Sequence, residues 1–179
     1  MRTRMFAALS AAAALALTLT LSSAPAQAAA PGQFTMTVVH SGKCLDIQNS
    51  STNNGARLVQ NTCDGRESQR FTIGSFTNPA DTYFIWTFAG KCIARHASSN
   101  VLAPVTQENC VYDYAQAFRI YAQHPWPGEV INALDWNGGS AFCFHVEGAS
   151  RDDGARVITY PCNRWGTGER NDSFIIRPA

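Results

Sequence analysis

The stretch "GKCLDIQNSSTNNGARLVQNTCDGRESQRF" occupies Gly42–Phe71. Three landmarks in it decide the fold: Cys44, Cys63 placed 19 positions later, and a Gln-x-Phe whose Phe71 falls eight positions after the second cysteine. The pattern returns. "GKCLDI" (Gly42–Ile47) recurs as "GKCIAR" (Gly90–Arg95) and, more loosely, as "AFCFHV" (Ala141–Val146). "NGARLVQNTC" (Asn54–Cys63) recurs as "LAPVTQENC" (Leu102–Cys110) and "DGARVITYPC" (Asp153–Cys162). "QRF" at Gln69–Phe71 recurs as "QAF" at Gln116–Phe118 and as "DSF" at Asp172–Phe174. The cysteine spacings are 19, 18 and 19, and the first cysteines repeat after 48 and then 51 positions. From second cysteine to Phe the spacing is 8, 8 and 12, so the third copy carries about four extra residues, assigned to "RWGTGER" (Arg164–Arg170). A fixed period of this length is the mark of a repeat architecture.

The repeat selects one cysteine pairing among the 15 that six cysteines allow. Cys44–Cys63, Cys92–Cys110 and Cys143–Cys162 each close a unit on itself. Zinc would want Cys-x-x-Cys pairs or Cys and His at ligand spacing, which the chain lacks. No metal site is expected, and no solitary nucleophilic cysteine remains.

Twelve short segments with apolar alternation or β-branched residues are expected as strands, four per unit. They are Phe34–Val39, Lys43–Gln48, Arg57–Thr62, Arg70–Ser75, Thr82–Phe88, Lys91–His96, Pro104–Asn109, Ala117–Ala122, Glu129–Asp135, Phe142–Glu147, Arg156–Pro161 and Ser173–Arg177. Between them lie Asn, Gly, Ser, Asp and Pro, the turn formers. "NGGS" at Asn137–Ser140 is a hairpin turn signal. A unit of this size cannot bury its own apolar face, but three units around one centre can. Phe71, Phe118 and Phe174 are then equivalent core anchors. The expected class is all-β, with repeats at about 34–80, 81–128 and 129–179.

The chain of 179 residues opens with Arg2 and Arg4, an apolar run from Met5 to Leu21 and a small-residue site ending at Ala28. That layout predicts a secretory signal peptide, residues 1–28, cleaved from a single domain at 29–179. A membrane anchor would need a longer run, about 20 residues. Without Arg2 and Arg4 the 14 Lys and Arg fall to 12, against 13 Asp and Glu, scattered without a block of like sign. Such a balance argues against a nucleic-acid partner or an anionic membrane surface. The mature protein is expected to be secreted, extracellular and monomeric.

Gly-x-Cys-Leu-Asp, Asn-Gly-Ala, a cysteine 19 positions on and Gln-x-aromatic together resemble the ricin B-type lectin repeat, also known as the ricin-type carbohydrate-binding module. The resemblance implies a β-trefoil, a six-stranded barrel closed by three hairpins, with at most one shallow sugar pocket per repeat. It implies an Asp two after the first cysteine to hold sugar hydroxyls and an aromatic two before the second cysteine to stack on the sugar. It further implies a Gln four before that cysteine, an Asn that donates to a hydroxyl, and the Gln of Gln-x-Trp supporting the Asp. A carboxylate that fixes hydroxyls and a ring that covers a C–H face are sound sugar chemistry.

The first repeat supplies Asp46 and Gln69, but Val59 replaces the upstream Gln, Asn61 the aromatic and Ser68 the Asn, with Gln60 one place off. In the second repeat Ala94, Glu108 and Ala115 take the Asp, aromatic and Asn positions, so that pocket reads as dead. The third has Tyr160 as ring and Asn171 as Asn, with His145 in place of the Asp and Asp172 as the support. An imidazole at that place can still hydrogen-bond hydroxyls, and a pH dependence around the ordinary imidazole value of about 6.5 is expected. The carbohydrate-binding candidates are therefore Asp46, Asn61, Gln69, His145, Tyr160 and Asn171, acting without a cofactor. Asp46 and His145 can equally serve the structure, and Tyr160 can be a packed strand residue.

His40, His96, His124 and His145 show no metal spacing, and no nucleophile motif, phosphate-cradling Gly loop or dinucleotide fingerprint occurs. No catalytic residues are expected. Trp126 in "AQHPWPGEV" and Trp165 in "RWGTGER" stand in Pro- or Gly-rich loops, where an exposed Trp often marks a contact surface. They support the alternative expectation, a β-trefoil that binds a protein, such as a protease, with its sugar sites decayed.

Overall fold

The computed structural model describes residues 32–75, 82–96, 102–121, 129–132, 142–162 and 170–179. The expected signal peptide, Trp126, Trp165, His124, "NGGS" and nearly all of "RWGTGER" lie outside these residues.

Twelve strands are present among the described residues: β1 (Gln33–Val38), β2 (Cys44–Ile47), β3 (Ala56–Asn61), β4 (Phe71–Ser75), β5 (Tyr83–Thr87), β6 (Cys92–Arg95), β7 (Ala103–Glu108), β8 (Phe118–Tyr121), β9 (Glu129–Asn132), β10 (Phe142–Val146), β11 (Ala155–Pro161) and β12 (Phe174–Pro178). Each coincides with an expected segment, with ends shifted by up to a few residues. The expected Lys43–Gln48 and Phe142–Glu147 stop early because 3-10 turns begin at Gln48 and Glu147. Their central residues, Asn49 at φ 56° and Gly148 at φ 62°, turn the chain out of extended geometry. The expected Glu129–Asp135 is observed to Asn132, and its remainder is not described.

The topology carries the threefold pattern. β12, β1, β4, β5, β8 and β9 follow one another in antiparallel pairings. Three hairpins, β2–β3, β6–β7 and β10–β11, stand on this set. Their registers are equivalent: Cys44 faces Asn61, Cys92 faces Glu108 and Cys143 faces Tyr160. Each first cysteine also meets the strand before it, at Thr37, Trp86 and Ile131. The second strands of the hairpins close a ring, with β3 on β7, β7 on β11 and β11 on β3. The disulfides join Cys44–Cys63, Cys92–Cys110 and Cys143–Cys162, one per unit, each with Cα atoms 5.0 Å apart.

Burial repeats as well. Phe71, Phe118 and Phe174 are all but fully buried, as are Leu45, Ile93 and Phe144 beside the first cysteines and Leu58, Val105 and Val157 on the facing strands. Phe118 and Phe144 meet edge to face at 5.0 Å. Burying such a side chain contributes about 1.5–3 kcal/mol. Truncating an aromatic anchor costs about 3–5 kcal/mol once the cavity is included. One position breaks the pattern: Ile47 and Val146 are apolar, whereas their counterpart Arg95 is charged and still buried.

Candidate functional site

Asp46 lies in β2, two residues after Cys44, so strand alternation sends its side chain to the opposite face from Leu45 and Ile47 in the core. The carboxylate is fully buried, and its Oδ2 accepts from Asn61 Nδ2 at 2.9 Å and from Gln69 Nε2 at 3.2 Å. The other oxygen, Oδ1, has no hydrogen-bond partner. Across the way stands Arg66, half exposed, with Nη1 3.8 Å from Asp46 Oδ2. Arg66 is held by Asp64, whose carboxyl that hydrogen bond keeps below its ordinary value.

Gln69 is a support that spends its whole amide inside the protein. Its Oε1 accepts from the N–H groups of Asp64 (3.1 Å) and Gly65 (3.3 Å), while Nε2 donates to Thr62 O (2.9 Å) as well as to Asp46. Gln116 repeats the device, accepting from Val111 N and Tyr112 N and donating to Asn109 O. Both glutamines end a 3-10 turn, Glu67–Gln69 and Tyr114–Gln116, which the periodicity of the sequence does not reveal.

Asn61, at the ring position, is likewise engaged at both ends. It donates to Asp46, and its Oδ1 accepts from Gly154 N at 2.8 Å, in the third repeat. Glu108 is its counterpart in the second repeat. Its Oε1 accepts from Gly55 N (3.1 Å) in the first repeat and from Thr106 Oγ1 (2.9 Å), and lies 2.8 Å from His96 Nε2. In two repeats, then, the ring position holds a neighbouring repeat by the N–H of a turn glycine. With Ala94 where a carboxylate is wanted, the second pocket has no anchor for a hydroxyl.

The third repeat differs. Tyr160 is 44 % exposed, and its ring meets the buried imidazole of His145 edge to face at 5.4 Å. His145 Nε2 lies 3.7 Å from Asp172 Oδ2 and has no hydrogen-bond partner. Burial pushes the imidazole below its ordinary value, while the Asp172 charge and a backbone hydrogen bond to Pro161 act the other way. Proline offers only a carbonyl, so the ring is the donor in that bond. Asn171 is buried and pins β10, donating Nδ2 to Val146 O at 2.8 Å.

The structure thus gathers Asp46, Asn61 and Gln69 in one cluster and His145, Tyr160, Asn171 and Asp172 in another, at equivalent places. Val59 is buried where the upstream Gln is wanted. Gln60, one place off, turns out to be an inter-repeat clasp: its Nε2 donates to Ser150 O (2.8 Å) and Asp152 O (3.0 Å), and its Oε1 accepts from Ser41 Oγ (2.8 Å). Gln107 does the same toward Ser51 O and Asn53 O. The shared Gln three before each of these cysteines was the signal for it. Among the described residues no group of His, Cys, Asp and Glu is placed to hold a metal ion.

A family model described as ricin-type β-trefoil lectin domain-like matches residues 20–89. Among curated proteins none matches the sequence. Among solved structures, a designed 3-fold symmetric protein, ThreeFoil, is similar with a TM-score of 0.73 and 24 % identity, covering 83 % of this chain and 99 % of that one. The Rhizoctonia solani agglutinin follows with TM-score 0.67 and 16 % identity, over 84 % of this chain and 98 % of its own. The Macrolepiota procera ricin B-like lectin, solved in complex with lactose, has TM-score 0.65 and 12 % identity over 85 % and 99 %. The protein is a β-trefoil of three disulfide-closed repeats, similar to the ricin-type lectins in the sequence of its first repeat and in fold throughout the described chain.

Proposed function

We propose that the protein is a secreted carbohydrate-binding, lectin-like protein that works without catalysis, through the first-repeat cluster around Asp46 and the third-repeat cluster around Tyr160. The observation that carries this reading is Asp46: one oxygen is fixed by two side-chain amides, the other has no donor. A buried acceptor without a donor is costly. A sugar hydroxyl is a fitting donor for that oxygen, and the fixed oxygen keeps the carboxylate aimed. In the third repeat a half-exposed ring stands beside an imidazole, pairing a stacking surface with a hydrogen-bonding group. The lactose complex of the Macrolepiota procera lectin supports the ligand class. The signal-like residues 1–28 support export.

A glycan array with the mature protein and its Asp46→Ala and Tyr160→Ala variants tests this. Binding to at least one glycan is expected, with at least a tenfold loss in one variant. Wild type silent on every glycan, or both variants binding as wild type does, would sink it.

A further inference from the structure

The second repeat, whose pocket lacks a carboxylate, carries a different feature in the loop between Cys110 and Gln116. Its counterpart is the loop between Cys63 and Gln69, of equal length and pinned by the same amide device. The side chains differ completely. Where the first repeat has Asp64, Gly65, Arg66 and Glu67, the second has Val111, Tyr112, Asp113 and Tyr114. Gly65 has φ 76°, a left-handed backbone that suits glycine; Tyr112 takes the same place at φ 57°. A bulky residue there is strained, and nothing in the hydrogen bonding requires it, since glycine makes the same bonds in the first repeat. Strain of this kind persists where the surroundings enforce it and concentrates at functional positions.

What the strained residue gains is not burial. Tyr112 is 53 % exposed, Val111 65 % and Tyr114 52 %. Among the described residues five large apolar side chains are exposed, and three of them stand in this loop. The edge of the platform is supported by Phe84, whose ring meets Tyr112 at 4.9 Å and 79°. Asp113 caps Ala115 N at 3.0 Å and is the loop's only charged residue.

We propose that Val111, Tyr112 and Tyr114 form a second kind of carbohydrate contact, a stacking platform for a neutral polysaccharide, outside the pocket positions of the repeat. Half-exposed aromatic rings at about 150–250 Å² each offer on the order of 300 Å² for the three side chains. A stable protein interface needs about 800 Å² from each partner. The area suits one or two pyranose rings laid on flat aromatic faces. The loop lacks a cation to hold an anionic sugar, and its pinned backbone keeps the ordering cost of binding low. The inference takes from the proposed function only the ligand class; the residues are different.

The test is depletion binding of the mature protein to insoluble cellulose, chitin and β-1,3-glucan. Wild type is compared with Tyr112→Gly/Tyr114→Ser and with Asp46→Ala/Tyr160→Ala. At least a tenfold loss of affinity is expected in the loop variant on a polymer that wild type binds, with its far-UV circular dichroism unchanged. Should the double variant not fold, Tyr112→Gly alone serves, because glycine is native at the equivalent place. A loop variant that binds as wild type does overturns the platform, and if Asp46→Ala/Tyr160→Ala alone loses binding the pocket reading survives. Loss in the loop variant alone leaves the platform standing and shows that the pockets do not carry the binding of that polymer. Wild type that binds no polymer overturns the platform, as does a concentration-dependent dimer, seen in sedimentation, that Tyr112→Gly abolishes.

Discussion

Asp46 and Gln69 form a unit in which the glutamine does the positioning. Gln69→Ala strips partners from two backbone N–H groups, from Thr62 O and from the Asp46 carboxylate at once. Leaving buried groups unmade costs about 1–3 kcal/mol each, with part of it recovered by relaxation. We expect a loss of roughly 2–4 kcal/mol in urea unfolding, together with lost glycan binding. Gln116→Ala loosens the equivalent loop and is expected to destabilise comparably while leaving glycan binding at Asp46 intact; equal loss of binding in both variants would count against the pocket. His145 makes the second residue-scale prediction. Its imidazole is held below its ordinary value, first by burial, against the pull of Asp172 and the Pro161 hydrogen bond. The neutral form therefore belongs to the folded protein. Its contribution is present above the unfolded value of about 6.5 and declines as pH falls below it, because the unfolded chain takes up the proton more readily. The melting temperature of wild type should fall between pH 7 and pH 5 more steeply than that of His145→Gln. Parallel curves would assign the slope to other groups. At this scale the sequence was only partly legible. Asp46 and its Gln69 support could be named from spacing, but the second duty of Asn61 could not. Its partner Gly154 is 93 positions away, and no local pattern announces an inter-repeat hydrogen bond.

The strands were the most legible level. Alternation and turn residues marked all twelve, because period 2 is imposed directly by burial of one face. The 3-10 turns that carry Gln69 and Gln116 escaped, since three residues are too few to show a period. Also hidden was the packing of one strand residue on another. Gly74 in β4 sits beneath Trp86 of β5: a Cβ built there would fall 2.3 Å from the Trp86 ring. The space belongs to the indole, which is rigid and part of the strand pair. Gly74→Ala must displace that ring or part the strands, and overpacking of this kind costs about 1–3 kcal/mol. Trp86→Leu together with Gly74→Ala should restore part of the loss. A single Gly74→Ala variant that unfolds at the same urea concentration as wild type would show that the ring moves freely.

Three units become one molecule through links that cross from repeat to repeat. Gln60 clasps the turn at Ser150–Asp152, and Gln107 clasps the turn at Ser51–Asn53. At the third junction Thr159 stands in the same place, and its Oγ1 donates to Ala103 O at 3.5 Å. Lys43 and Thr62 of the first repeat meet Asp153 of the third, a pairing at an exposed place where ion pairs are worth little. The pseudo-threefold plan was legible from the cysteines, since a covalent constraint repeats more faithfully than a side-chain contact. The unequal junctions were not, because each clasp joins residues far apart in sequence. Each disulfide, by contrast, acts within its unit, and the loop it closes spans 18 or 19 positions. On the chain-entropy account such a crosslink restrains the unfolded chain by about 3 kcal/mol. Removing the central one, as Cys92→Ser/Cys110→Ser, should therefore lower stability by about 3 kcal/mol. The second unit should not melt by itself, because its hairpin pairs with both neighbours through β3–β7 and β7–β11 and its Phe118 lies in the shared core. Intrinsic fluorescence and far-UV circular dichroism should give one coincident transition in the variant, shifted to lower urea. Two separated transitions would mean that the units are held mainly by their own crosslinks, and the shared core would lose its place as the principal source of stability.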